Sequence, residues 1–246
     1  MTNTYDFWNN RTPYTWGSYE DMRRLRYQLV EYMQTKFNYD KWEGKRVLEI
    51  GSGSGIDAIE FTRHGAKMYA TDMTENAINY ITSLFLEQKL KPEKIEMVNG
   101  EHLPYEDGFF DLVYCFGVIH HSPNDTKMVH EMHRVLKKNG KCYAMLYHKN
   151  SLLYYYSIIY LRGIVGHGFS SGMTEQQLLS MYSEGKHGCP YTRVYAIDEA
   201  KDLFKEFNKV EVSIEHPMID TLDIRKIKIP ALPKSLGWHL IIKAEK

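Results

Sequence analysis

Along the middle of the chain, short apolar runs alternate with stretches in which apolar residues return every three or four positions. The runs 45–50, 67–71, 95–98, 111–116 and 141–147 predict strands. The stretches between them predict helices. One covers about 55–63. One covers about 75–90, with Ile78, Ile81 and Phe85 on one face. One covers about 125–137, with Met128, Met132, Val135 and Leu136 at helical spacing and Asn139-Gly140 as its stop. Upstream, Leu25, Leu29, Tyr32 and Met33 predict an amphipathic helix over about 19–37. Downstream, Ala200, Leu203, Phe204 and Phe207 share a helix face, and the runs 210–214 and 238–242 predict an antiparallel pair at one sheet edge. Strand–helix alternation of this kind predicts an α/β chain with a mostly parallel sheet.

The alternation lapses over 149–195. That segment holds Tyr154-Tyr155-Tyr156, glycines at 163, 166 and 168, and a capping-box start at Thr174-Glu175-Gln176-Gln177. It predicts a partly helical cap inserted after the fifth strand. The expected organisation is therefore one domain of 246 residues. Residues 1–43 form an N-terminal helical, aromatic extension, 44–148 the core, 149–195 the cap, and 196–246 the final helix and edge strands.

Composition narrows the partners. Lys plus Arg is 31 and Asp plus Glu is 31, so the formal charge is zero. That disfavours a nucleic-acid partner, whose phosphates select a basic surface. Three cysteines, Cys115, Cys142 and Cys189, include no C-x-x-C pair, which speaks against a disulfide framework or a structural zinc site. Cys115 and Cys142 fall in apolar runs and are expected in the core. No apolar stretch reaches the ~20 residues of a membrane span, and the first residues lack the pattern of a signal peptide. A cytoplasmic protein without a metal or a membrane partner is expected.

The chemistry starts where the first strand breaks off. Val47-Leu48-Glu49-Ile50 runs into Gly51-Ser52-Gly53-Ser54-Gly55, a turn that lets a ligand approach the backbone closely. Asp72 ends the next strand, in the position of an acidic ribose contact. The glycine spacing is not G-x-G-x-x-G, since position 56 is isoleucine, and no Lys-Ser/Thr follows as in a P-loop.

The segments VLEIGSGSG (47–55), YATD (69–72), VNGEHLPYEDGFFDLVYCFGVIHH (98–121) and HRVLKKNGKCYAMLY (133–147) together resemble the class I S-adenosylmethionine-dependent methyltransferases over roughly 45–148. The resemblance implies a Rossmann-like seven-stranded sheet of order 3-2-1-4-5-7-6 with strand 7 antiparallel. It implies S-adenosylmethionine as cofactor. Gly51, Ser52 and Gly53 then match the turn under the methionine and ribose. Glu49 matches the acid that orients the methionine amino group. Asp72 matches the carboxylate on the ribose hydroxyls, and Met73 the apolar residue against the adenine. Asn99 and Gly100 stand where the family usually has Asp-Ala at the adenine edge, with Glu101 following; the Asn99 carboxamide oxygen still accepts a hydrogen bond. Phe116 and Gly117 match strand-4 residues facing the methionine end.

A sulfonium methyl donor is already activated, so the protein need only align an acceptor and exclude water. A hydroxyl acceptor also wants a base. His120 and His121, just past strand 4, are the candidate bases. The acceptor side is expected from Tyr14, Trp16, Tyr19, His148, Tyr154, Tyr191 and Arg193, with Tyr155 and His187 nearby, and Arg193 as the anion contact. Strand 4 runs Cys115-Phe116-Gly117-Val118 rather than into Asn/Asp-Pro-Pro-Tyr/Phe, which favours the small-molecule branch. LYHKNSLLYYY (146–156), GCPYTRVYAIDEAKDLFKEF (188–207), Trp8-Asn9 and Lys41-Trp42-Glu43-Gly44-Lys45 resemble an uncharacterised bacterial subgroup of that superfamily. The expected function is methyl transfer to a small-molecule hydroxyl in a biosynthetic pathway, such as that of a secondary metabolite or surface-glycan precursor, by a monomer or homodimer. The alternatives are a small-molecule nitrogen acceptor, an RNA or protein acceptor, and a non-catalytic partner that binds S-adenosylmethionine.

Overall fold

A computed structural model describes residues 4–11, 17–184, 188–216 and 233–246. Seven strands form one sheet in the order β3-β2-β1-β4-β5-β7-β6. They are β1 (Arg46–Ile50), β2 (Lys67–Asp72), β3 (Lys94–Met97), β4 (Phe110–Phe116), β5 (Leu136–Tyr147), β6 (Lys209–Glu215) and β7 (His239–Glu245). β1 to β5 pair in parallel, while β7 runs antiparallel between β5 and β6. The order expected from the resemblance, with strand 7 antiparallel, is the order found.

Helices cover both faces. On one side, α2 (Tyr19–Leu29), α3 (Tyr32–Phe37), α4 (Ile56–Arg63) and α5 (Glu75–Glu87) pack around Val47, Met68, Ala70 and Tyr114. On the other, α6 (Asp125–Val135) and α8 (Ile197–Leu203) pack on Leu48, Val113, Cys142 and Ile242. Cys115 and Cys142 are buried in that second core, and Cys189 is also free and buried. Inside 149–195 a π-type helix (Leu153–Val165) and α7 (Glu175–Tyr182) enclose a third cluster with Val194 and Trp238. The capping box opening α7 forms as the sequence predicts: Thr174 Oγ1 accepts from Gln177 N, and Gln177 Oε1 from Thr174 N.

Three elements differ from their sequence expectation. The helix expected over 19–37 is two helices, because Val30 leaves helical geometry at φ −128° and α3 starts afresh at Tyr32. A further short helix, α1 (Thr4–Asn9), precedes it. The helix expected to reach 137 ends at Val135, because Leu136 already pairs with Phe110 of β4. Asn139, at φ +63°, then turns the backbone, and pairing resumes at Lys141 opposite Leu112, with three extra residues on the β5 side.

No helix among the described residues is long and apolar enough to cross a membrane. Among them, no group of three or more His, Cys, Asp or Glu side chains is arranged to hold a metal.

Candidate functional site

The carboxyl ends of the parallel strands open into a cavity of about 600 Å3. Its floor follows from how β1 stops. Gly51, Gly53 and Gly55 have φ +74°, +54° and +72°, which turn the chain sharply into α4. Gly51 N and Ser52 N donate to Thr71 O at 2.8 and 2.9 Å, fastening the turn to β2. A Cβ on Gly51 would meet Val118 Cγ2 at 2.3 Å, and one on Gly100 would meet Met128 Cε at 2.7 Å. A Cβ at either position would have to displace a neighbouring side chain, and the backbone itself forms the wall there.

Glu49, Gly51, Ser52, Gly53, Asp72, Met73, Asn99, Gly100, Glu101, Phe116 and Gly117 all line this one cavity. Asp72 Oδ2 accepts from Gly53 N at 3.0 Å, and Oδ1 from Thr74 N and Oγ1 at 2.9 and 2.8 Å. Burial raises its pKa against those donors. The Asn99 oxygen already accepts from Glu101 N at 2.9 Å, so one of its two lone pairs is committed. Glu101 is held by Ser122 Oγ at 2.5 Å and Asn124 Nδ2 at 2.9 Å.

Glu49 is different. It is 3 % exposed, and its Oε2 has no hydrogen-bond partner. Burial, then Asp57, pushes its pKa well up. A buried carboxylate oxygen left unmatched beside a cavity calls for a ligand that donates hydrogen bonds or carries positive charge.

Beside Glu49, Arg26 of α2 grips Asp57 of α4. Arg26 Nε donates to Oδ1 at 3.0 Å and Nη2 to Oδ2. Tyr114 Oη also donates to Oδ2, at 3.0 Å, and Tyr27 Oη to Oδ1 at 3.2 Å. The guanidinium lies 4.9 Å over the Phe116 ring.

The two candidate bases part company. His121 lines the cavity; His120 does not and is fully buried. His120 stacks on Tyr147 at 3.7 Å, its ring nitrogens have no hydrogen-bond partner, and burial lowers its pKa far below 6.5. His121 Nδ1 lies 3.1 Å from Tyr191 O, and Nε2 lies 3.3 Å from Glu184 Oε1. Tyr191 O and Glu184 Oε1 can only accept, which favours an imidazolium, while Thr192 Oγ1 at 3.3 Å and Cys189 Sγ at 3.5 Å from Nδ1 can serve as either partner. Burial opposes that charge, but Cys189 and Glu184 outweigh it and lift the pKa to about 9. Tyr147 Oη donates to the same Glu184 oxygen at 2.5 Å.

None of the described residues expected on the acceptor side lines this cavity. Tyr14, Trp16 and His187 fall outside the described residues. Tyr19, His148, Tyr154, Tyr191 and Arg193 do not line the cavity. Tyr19 donates to Glu60 Oε1 at 2.9 Å between α2 and α4. His148 Nδ1 donates to Gly237 O at 2.8 Å. Tyr154 is buried in the third cluster and donates to Glu175. Arg193, expected as an anion contact, instead pairs with Asp125 at 2.8 Å. The cavity takes its further wall from Thr4, Trp8, Arg26, Asp57, Met145, Tyr147 and His239. One sequence signal for part of this was legible: Arg23 and Arg26 on α2 repeat the spacing of Glu60 and Asp57 on α4, and the two pairs meet.

The methyltransferase domain family matches residues 48–144. An uncharacterised methyltransferase, YcgJ of Bacillus subtilis, is 31% identical over 96 residues, 39% of this chain and 38% of its own. A ubiquinone biosynthesis O-methyltransferase of Coxiella burnetii is 23% identical over 154 residues, 63% of this chain and 62% of its own. The chain thus spans less than two thirds of the length of these relatives. A solved structure described as an S-adenosylmethionine-dependent methyltransferase, possible histamine N-methyltransferase, from Thermotoga maritima superposes with a TM-score of 0.52 at 15% identity. That match covers 93% of this chain and 100% of the other. Residues 48–144 thus match the methyltransferase domain family, and the seven-stranded sheet built around them has the fold of that solved structure.

Proposed function

We propose that this protein transfers a methyl group from S-adenosylmethionine to a hydroxyl of a small-molecule acceptor. The observation that carries the reading is the unmatched Glu49 oxygen, set beside the Gly51 turn in a cavity that Asp72 also lines. A ligand with an ammonium group and a ribose fits both carboxylates at once. In this reading Glu49 receives the methionine ammonium and Asp72 the ribose hydroxyls. Gly51, Ser52 and Gly53 lie under the chain between them. Met73, Asn99, Gly100 and Glu101 surround the adenine, and Phe116 and Gly117 face the methionine end. At Gly51 and Gly100 the ligand meets backbone, because a Cβ at either would have to displace Val118, Met128 or Ile50.

The cofactor supplies an electrophilic methyl carbon on a positively charged sulfur. The protein's part is to orient the acceptor and keep water out. Trp8, Tyr147 and His239 carry the acceptor side, brought there by residues 1–43, the end of β5 and the start of β7. The curated relative named as an O-methyltransferase supports a hydroxyl as acceptor.

A screen with radiolabelled methyl donor tests the reading. Simple phenols, catechols, aliphatic alcohols and amines are offered in parallel with bulk tRNA and total protein. Label in a small hydroxyl compound is the expected outcome. Label confined to amines, to RNA or to protein replaces the acceptor class. Binding of S-adenosylmethionine without turnover on any acceptor favours a non-catalytic partner.

A further inference from the structure

Among the described residues, four histidines lie buried near the ligand edge of the sheet: His120, His121, His148 and His239. Three are closed to an acceptor. His120 does not reach the cavity. His121 has both nitrogens committed, to Tyr191 O and Glu184. His148 gives Nδ1 to Gly237 O and stays outside the lining.

His239 differs on each count. It is the first residue of β7, and because β7 is antiparallel its start lies at the edge where the parallel strands end. The register confirms this, with His239 opposite Tyr147, the last residue of β5. His239 lines the cavity together with Tyr147, Met145, Phe116 and Arg26. Its Nδ1 lies 2.6 Å from Tyr32 Oη. Among the described residues nothing hydrogen-bonds Nε2, and that atom is not sealed off as the His120 nitrogens are.

We infer that His239 is the proton acceptor for the methyl-accepting hydroxyl, with Nδ1–H donating to Tyr32 and the Nε2 lone pair offered to the cavity. The inference rests on the methyl-transfer reading above. In the step, a lone pair of the acceptor oxygen forms the new bond to the methyl carbon. The carbon–sulfur pair stays on sulfur, which becomes neutral. The hydroxyl proton passes to Nε2, and the resulting imidazolium later releases it to water.

The surroundings keep the ring neutral until then. Tyr32 of α3 is the hydrogen-bond partner. His216, just past β6, stacks at 4.5 Å. Arg26 of α2 approaches from a third side, its charge matched by Asp57. Phe116 of β4 and Tyr147 of β5 add only rings. Glu215, opposite His239 in the β6 register, is engaged by Lys36 at 2.8 Å and Lys234 at 3.1 Å. Burial, His216 and Arg26 all lower the His239 pKa.

The tautomer is measurable without knowing the acceptor. Long-range 1H–15N spectra of the 15N-labelled full chain at about pH 7.5 are expected to show His239 with Nδ1 protonated and Nε2 bare. The pattern persists with S-adenosylhomocysteine added. Absence of the signal in His239→Gln assigns it. Should that variant fail to fold, Tyr32→Phe assigns it instead, by moving this ring alone toward the Nε2–H form. A protonated Nε2 in the wild-type chain overturns the inference. In calorimetry, His239→Gln is expected to keep S-adenosylmethionine affinity within about twofold. Its turnover on an acceptor found by the screen falls about 100-fold or more. Unchanged turnover, or a collapse of cofactor affinity, overturns the role. Wild-type protein that binds no S-adenosylmethionine overturns the methyl-transfer reading itself, a failure the spectra do not share.

Discussion

Arg26 and Asp57 form an ion pair in the wall of the cavity: Asp57 is 3 % exposed and the Arg26 side chain 27 %, and the carboxylate takes hydrogen bonds from the guanidinium and from Tyr27 and Tyr114. The pair ties the N-terminal α2 to α4, the helix that starts at the glycine turn. Replacing Arg26 with methionine leaves a buried carboxylate without its countercharge and is expected to cost about 3–5 kcal/mol. Urea denaturation measures it. Arg26→Met combined with Asp57→Leu is expected to recover much of the loss, because the stranded charge is gone.

Gly51 and Gly53 both sit at positive φ but differ in the space around them. A Cβ at 51 meets Val118 at 2.3 Å, while one at 53 meets nothing within 4 Å. Gly53→Ala carries only the left-handed backbone penalty, about 1 kcal/mol. Gly51→Ala adds overpacking of about 1–3 kcal/mol. Thermal unfolding of the two variants checks the order, and Val118→Ala in the Gly51→Ala background is expected to restore part of the difference.

Glu49 sits where stability and binding oppose each other. Its buried, unmatched oxygen costs free energy in the empty protein. Glu49→Gln is therefore expected to leave stability unchanged or raise it by about 1 kcal/mol, while weakening S-adenosylmethionine about tenfold or more. Calorimetry and urea denaturation on the same samples separate the two effects.

The histidines give stability a maximum near neutral pH. His121 is raised to about 9, so its contribution is complete below its unfolded value of about 6.5 and fades as pH climbs through 9. The full effect is on the order of 3 kcal/mol. His120, His216 and His239 are depressed by burial, so the fold loses stability as pH drops below about 6.5 and these rings must charge. In His121→Gln the decline between pH 6.5 and 9 is expected to flatten, while the acid side stays as in wild type. Urea midpoints across that range read both limbs.

The core of this protein was legible because its signals are local. Val47 to Gly55, the strand periods and Asp72 each declare themselves within a few residues. The edge pairing of the last two strands followed from their place at the chain's end. The acceptor side was not legible for the opposite reason. His239 reaches the cavity only because β7 runs antiparallel beside β5, a relation across 92 residues that no local pattern encodes. Tyr154 reads as a ligand contact by its chemistry, yet it is buried and donates to Glu175, and Arg193, about half exposed, turns one nitrogen to Asp125. His121 stood out by its position after strand 4, but its charge is favoured by Cys189 and Glu184, more than 60 residues further on. The break after Leu29 was hidden because Val30 and Glu31 do not interrupt the helical apolar spacing.

The central claim is that the cavity at the end of β1 binds S-adenosylmethionine through Asp72. Calorimetric titration of wild-type and Asp72→Asn proteins with S-adenosylmethionine tests it most directly. One site per chain in the wild type, weakened about tenfold or more in the variant, is the expected result. No binding by the wild type, or equal affinity in a folded variant, would contradict it.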